Sequence, residues 1–293
     1  MSSSPTFLQY FLTLVVVLVA PLIGGILNGF DRKITSRLQS RIGPPLLQPF
    51  YDVFKLLQKK PMVLNRIQIM YAYLHLAFMI LTIVILALGQ DLLMALFIHA
   101  FSTIALVIGG MSVRSPYSRI GGQRQIMQML AYEPVLVFLV IGIYRVVGMQ
   151  SGTGSFLASQ AMSLGQPLLI PLPLMFVSFF IAILIKLHKS PFDVSTSHHM
   201  HQELVKGVTL EYSGPFLALI EITHFYETFL LFALIACFWG TNLLVGAVLA
   251  AVCFFGMLVV DNACARLTPV WMVRFMWTVP MAMCLCNMVW FYL

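Results

Sequence analysis

Glu221, His224 and Glu227 recur at intervals of three inside an apolar run from about 216 to 238, placing two carboxyl groups and an imidazole near one side of a helix. Such a trio can pass a proton along its length. In a low-dielectric setting the charged and neutral forms of these groups come close in free energy, and imidazole exchanges protons at either nitrogen. The same trio serves equally well as a polar seam that ties helices together, and the residues by themselves do not choose between the two. One further acid, Glu133, lies inside another apolar run, with Arg124 close enough in sequence to pair with it. An ionisable group in hydrocarbon costs about 2.5–3.5 kcal/mol on insertion scales, so each of these residues must face a protein interior, a partner or a water path.

His198, His199 and His201, flanked by Asp193 and Glu203, form the densest group of potential metal ligands. H-H-x-H differs from the H-E-x-x-H arrangement of zinc enzymes, so a polar surface that docks a soluble partner is the expected role and no metal is assigned. Cys237, Cys253, Cys264, Cys284 and Cys286 sit mostly in or beside apolar runs without a ligand set around them, which reads as inert thiols. No cofactor is expected on this chain. No P-loop, dinucleotide fingerprint or nucleophile motif is present, and no catalytic residue is assigned.

The elements that must position these residues are membrane helices. Of 293 residues, 60% are hydrophobic and 9% charged, with a mean hydropathy of +0.94, and a soluble domain could not hide that much apolar surface. The expected fold is an all-α integral membrane protein, one membrane domain over 1–293. At about 20 apolar residues per crossing, eight spans fall near 7–30, 68–89, 92–112, 126–148, 168–186, 216–238, 241–260 and 270–293. The first is too long and lacks the basic start and cleavage site of a secretory signal, so it reads as a retained span.

Basic residues test this layout. Sixteen of the seventeen Lys and Arg fall in or beside loops near 31–67, 113–125, 187–215 and 261–269, and only Arg145 does not. By the positive-inside rule these loops are cytoplasmic and both termini lie outside. The net charge of +7 is thereby a topology signal, and no nucleic acid partner is expected. Lys186 and Lys189 count among the loop charges in this reading, and Asp91 is a solvated charge in a tight outer turn. Within the first loop, Leu47, Phe50, Tyr51, Phe54, Leu57 and Gln58 recur at threes and fours, which predicts an amphipathic helix over 46–60 lying at the interface.

Two loop blocks carry a family resemblance. Asp31-Arg32-Lys33, then Gln39 to Pro44, then Leu46 to Leu56 resemble the first cytoplasmic loop of the complex I subunit 1 family, whose bacterial members are called the H subunit. Ser190-Pro191-Phe192-Asp193, Glu203 to Gly207 and Glu211-Tyr212-Ser213-Gly214 resemble that family's third such loop. The resemblance covers nearly the whole chain. Between Pro44 and Leu46 there is one residue where quinone-reducing members carry a longer insert, and Val194 to Gln202 replaces their Glu-rich segment. Ser190 to Gly207 and Glu211 through Glu227 are most similar to the B subunit of the energy-converting (Ech-type) hydrogenases, and Ser115 to Gly121 and Tyr132-Glu133-Pro134 are similar to the same branch.

That resemblance implies a coupling subunit in a ferredoxin-linked, ion-translocating NiFe hydrogenase of the cytoplasmic membrane, or alternatively the quinone-binding H subunit of respiratory complex I. It implies an ion-coupling axis of Asp52, Glu133, Asp193, Glu203, Glu211, Glu221, His224 and Glu227, with Arg41 and Arg124 as counter-charges. Arg37, Gln48 and the three histidines would meet the soluble arm. The implied partners are the hydrogenase large and small subunits, a ferredoxin-like Fe–S subunit, an antiporter-like membrane subunit and the lipid bilayer, with the NiFe centre and Fe–S clusters on those partners.

Overall fold

The computed structural model describes residues 7–62, 65–192 and 207–291, and over them the chain is helical. The order is α1 (Phe7–Leu38), α2 (Gln48–Leu57), α3 (Arg66–Ala87), α4 (Leu92–Met111), α5 (Pro116–Ser151), α6 (Ala158–Met162), α7 (Pro173–Lys186), a 3-10 turn at Gly207–Thr209, α8 (Pro215–Cys237), α9 (Leu243–Ala263) and α10 (Pro269–Trp290). Seven of these are long and apolar enough to cross a membrane: α1, α3, α4, α5, α8, α9 and α10. The protein is thus an all-α, multi-pass membrane protein.

The span expected over 168–186 is the exception. α7 has only 14 residues, about 21 Å at 1.5 Å per residue, against roughly 30 Å of hydrocarbon. Pro171 and Pro173 hold the approach out of helical conformation, and Pro173 then opens the helix at a position where its missing N–H costs nothing. Met175, Phe179, Ala182, Ile183 and Ile185 are buried, so this irregular stretch leans on protein. Asn287 of α10 supplies the missing cap: its Oδ1 accepts from the amides of Leu174 and Met175 at 3.2 Å each, and its Nδ2 donates to the Pro171 carbonyl at 2.9 Å. Asn287→Ala strands both amides. It will lower stability by about 1–3 kcal/mol, seen as a lower thermal midpoint in detergent, while Cys286→Ser at the exposed neighbouring position leaves that midpoint in place.

Two expected loops begin later or end earlier than the charge pattern implied. α1 continues through Asp31, Arg32, Lys33 and Arg37, and α5 already starts at Pro116, so 31–38 and 116–125 are helical extensions. Lys and Arg are good helix formers, and charge alone does not end a helix. Asp91 is likewise more than a solvated charge. It caps α4, its Oδ1 accepting from the amides of Leu93 at 2.7 Å and Met94 at 3.2 Å.

The amphipathic helix is α2. It buries Pro49 and Val53 and leaves Tyr51, Phe54 and Leu57 exposed, an apolar edge turned away from the bundle. α8 is the hub, meeting α1, α2, α3 and α9, and 56% of its apolar window is buried against 22% for α1. Glycines let α1 lie flush on its neighbours. Gly24 faces the Phe225 backbone of α8, Gly25 the Phe50 ring of α2, and Gly29 the Leu46 backbone ahead of α2. A larger core joins α5, α7 and α10 through Tyr132, Phe179, Ile183, Met272 and Met276.

Candidate functional site

Charged and polar side chains cluster in the core at the end of α7. α7 ends in Lys186, whose side chain is 3% exposed, and the Nζ lies 3.4 Å from Glu227 Oε1 of α8. The ammonium also donates to Thr103 Oγ1 of α4 and Tyr132 Oη of α5, each at 3.2 Å, and sits 4.8 Å above the Tyr132 ring. Four helices therefore converge on one cation. Unpaired, that charge would not persist in an apolar interior; here a carboxylate, two hydroxyls and a ring face replace its water.

Glu227 gathers two imidazoles as well. His99 Nε2 of α4 is 3.9 Å from Oε1, and His224 Nδ1, one turn earlier on α8, is 3.7 Å from Oε2. His75 of α3 backs the group from the side: its Nδ1 lies 2.8 Å from the Ser102 carbonyl, and the Ser102 hydroxyl donates to the His75 carbonyl at 2.8 Å. A cavity of about 20 Å³, lined by His75, Thr103, Gln125, Tyr132, Lys186 and Glu227 among others, leaves room for about one water. Exposure falls steadily inward, from 34% at His224 to 14% at Glu227 and 3% at Lys186. The arrangement has the parts of a proton-exchanging site: an outer imidazole, a carboxylate and a fixed inner cation.

The structure brings together only part of the set that the sequence nominated. His224 and Glu227 are in the centre. Glu133 flanks it on α5, next to Tyr132; Lys186 acts on it electrostatically, and its Oε2 is buried with no hydrogen-bond partner. Glu221 lies one turn before His224, within electrostatic reach of it. Glu211 is half-buried in the loop ahead of α8, and Arg124 is half-buried on α5. Asp52 sits apart at the surface, 41% exposed, accepting from Arg32 Nη1 at 2.7 Å and from Gln48 Nε2 at 2.9 Å. Arg37 and Arg41 are exposed at the end of α1 and in the turn beyond it. Asp193, Glu203, His198, His199 and His201 lie outside the described residues.

Sequence reasoning missed Lys186, His75 and His99. Lys186 is no loop charge, because α7 carries it into the core. A lysine closing an apolar run, and single histidines inside two others, were the available signals. A second missed set lies at the charge-rich end. Lys189, just past α7, bonds Asp31 Oδ2 of α1 at 2.5 Å and Asp261 Oδ2 of α9 at 3.3 Å, while the Ser190 amide donates to Asp261 Oδ1 at 2.8 Å. Burial pulls the Lys189 ammonium down, but the two carboxylates beside it outweigh that and hold it above the ordinary lysine range.

A bundle of helices long and apolar enough to cross a membrane, packed around a buried ion pair, is the form of a multi-pass membrane protein. A protein-family model described as NADH dehydrogenase matches residues 11–292. This chain belongs to that family. It is 32% identical to the H subunit of NADH-quinone oxidoreductase from Bacillus thuringiensis (strain Al Hakam), over 76% of this chain and 73% of the relative. To the same subunit of Bacillus mycoides (strain KBAB4) it is 31% identical, over 86% of this chain and 81% of the relative. Its fold is shared with a chain in the structure of the membrane-bound sulfane sulfur reductase, an archaeal respiratory membrane complex. The TM-score there is 0.85, with 22% identity, covering 97% of this chain and 99% of that one.

Proposed function

We propose that this chain is the membrane-anchoring and coupling subunit of a ferredoxin-linked, ion-translocating NiFe hydrogenase of the cytoplasmic membrane. With the irregular stretch 168–172, buried at Leu168 and Leu172, completing α7 as an eighth crossing, its basic loops face the cytoplasm, its termini the outside, and α2 lies under the soluble arm that carries the NiFe centre and Fe–S clusters. The observation that carries a coupling role is the inward gradient from His224 through Glu227 to Lys186. Events in the soluble arm change the field at such a site, and in low dielectric a small change redistributes its protons. The hydrogenase assignment draws its support from the single residue between Pro44 and Leu46 and from the Val194 to Gln202 segment. The identity of 31–32% to quinone oxidoreductase chains favours a second reading, the corresponding membrane subunit of a quinone-reducing complex.

Purification of the intact complex separates the two. The hydrogenase reading requires NiFe subunits in the preparation and H2 evolution from reduced ferredoxin that quinone analogues do not inhibit. Quinone reduction abolished by those analogues transfers the chain to the second reading. In membranes, Glu221→Gln and Glu211→Gln are each expected to slow turnover or uncouple it, measured as ion movement per H2. Unchanged H2-linked pumping in both variants removes these two residues from the path.

A further inference from the structure

We propose that Lys186 makes this centre selective for protons over sodium, as the built-in counter-cation of Glu227 standing where a sodium ion would have to bind. The inference rests on the coupling role just given to Glu227 and names the ion that role can serve. A hard cation is held by several oxygens arranged around it. Around Glu227 the hydroxyls that would complete such a shell, Thr103 Oγ1 and Tyr132 Oη, are both 3.2 Å from the Lys186 ammonium and accept from it. Among the described residues, the other side chains within 4 Å of the carboxylate as ion pairs present nitrogens, His99 Nε2 at 3.9 Å and His224 Nδ1 at 3.7 Å, which exchange protons and are poor sodium ligands. The Gln125 amide, which also lines the cavity, offers one oxygen and no full shell. His75 stands behind them, and Glu133, on the far side of Tyr132, also feels the Lys186 charge.

Space and charge agree with this chemistry. The cavity of about 20 Å³ holds about one water and no hydrated ion. A sodium ion entering it would meet the ammonium at short range in low dielectric, where repulsion is many times its value in water. A proton has no such difficulty. Taken up at His224, it can pass to Glu227, leaving a neutral acid beside the ammonium and restoring the imidazole. Passing outward again, it restores the original ion pair. No step places a second metal-sized ion beside Lys186.

The test uses a hydrophobic carbodiimide, which reacts with protonated carboxyl groups in apolar surroundings, on membranes that contain the whole complex. Modification of the Glu227 peptide is read by mass spectrometry in sodium and in choline media at one pH. The wild type is expected to label slowly and at the same rate in both. Lys186→Gln removes the counter-cation, so Glu227 takes up a proton and labelling rises about tenfold or more. Lys186→Arg keeps the charge and stays slow. Protection of wild-type Glu227 by sodium would overturn the proposal, and so would unchanged labelling in a correctly inserted Lys186→Gln protein. The wild-type comparison alone can refute the idea if Lys186→Gln does not accumulate. The labelling reads an ion preference at Glu227 itself, so it is separate from the pumping assays on Glu211 and Glu221 that test the coupling role.

Discussion

Glu227→Ala will destabilise the protein by about 3–5 kcal/mol, because Lys186, with only 3% of its side chain exposed, loses its adjacent carboxylate and must hold its charge among neutral groups or give up its proton. Thr103, Tyr132 and the Tyr132 ring remain as neutral partners and the Glu133 carboxylate still acts on the ammonium, but none replaces the Glu227 carboxylate at 3.4 Å. Lys186→Met alone is expected to cost less, since Glu227 can take up a proton and become neutral. The double variant Lys186→Met with Glu227→Leu should recover much of the loss, as apolar replacements of buried pairs commonly do. Thermal unfolding of the wild type, Glu227→Leu, Lys186→Met and the double variant in one detergent closes a double-mutant cycle, and a coupling of about 0.5–3 kcal/mol is expected. Additive costs would mean that the two side chains do not stabilise one another.

Gly24→Val will have the other large effect. A Cβ at this position overlaps the Phe225 carbonyl oxygen, and its carbonyl carbon is 2.7 Å away. Both atoms belong to the backbone of α8, so no flexible side chain can swing aside. The expected cost exceeds the ~1–3 kcal/mol of ordinary overpacking, because α1 must lift from the hub helix along its length. Tyr226, whose hydroxyl donates to the Val17 carbonyl of α1 at 3.0 Å, loses that bond in the process. The measurement is the yield of monodisperse, protease-resistant protein from membranes. Gly256→Ala on α9 is the matched control: its new methyl would meet nothing nearer than Phe180 Cζ at 3.6 Å, and yield is expected to hold.

Long helices were the most legible part of the fold. Residues 68–89, 92–112, 216–238 and 241–260 read as spans because hydrocarbon imposes a length and a composition on any crossing, and the helices over them agree closely. α7 was not legible as a short element. Hydropathy sees 168–186 as continuously apolar, while the stop at Pro171 and Pro173 depends on a cap from Asn287, more than 110 residues away. For the site, the spacing of His224 and Glu227 on one helix was enough to pair them. Their partners come from α3, α4, α5 and α7, and no local spacing connects His75, His99, Tyr132 and Lys186. Charge counting also misled at Lys186: the positive-inside pattern assigns a basic residue at a span's end to the loop, and only the burial of α7 reveals the opposite.

The close seating of α1 also bears on how a load would travel through the protein. Gly25 receives the Phe50 ring, Gly29 the chain leading into α2, and Gly24 the backbone at Phe225, while the Phe50 and Phe225 rings meet at 5.7 Å with a 58° tilt. At these glycines α1 therefore touches the other two helices with no long, compliant side chain of its own in between. Close-packed interiors have low compressibility and pass strain on. Any partner protein pressing on α2 has a stiff strut beneath it, and that strut ends one residue from His224.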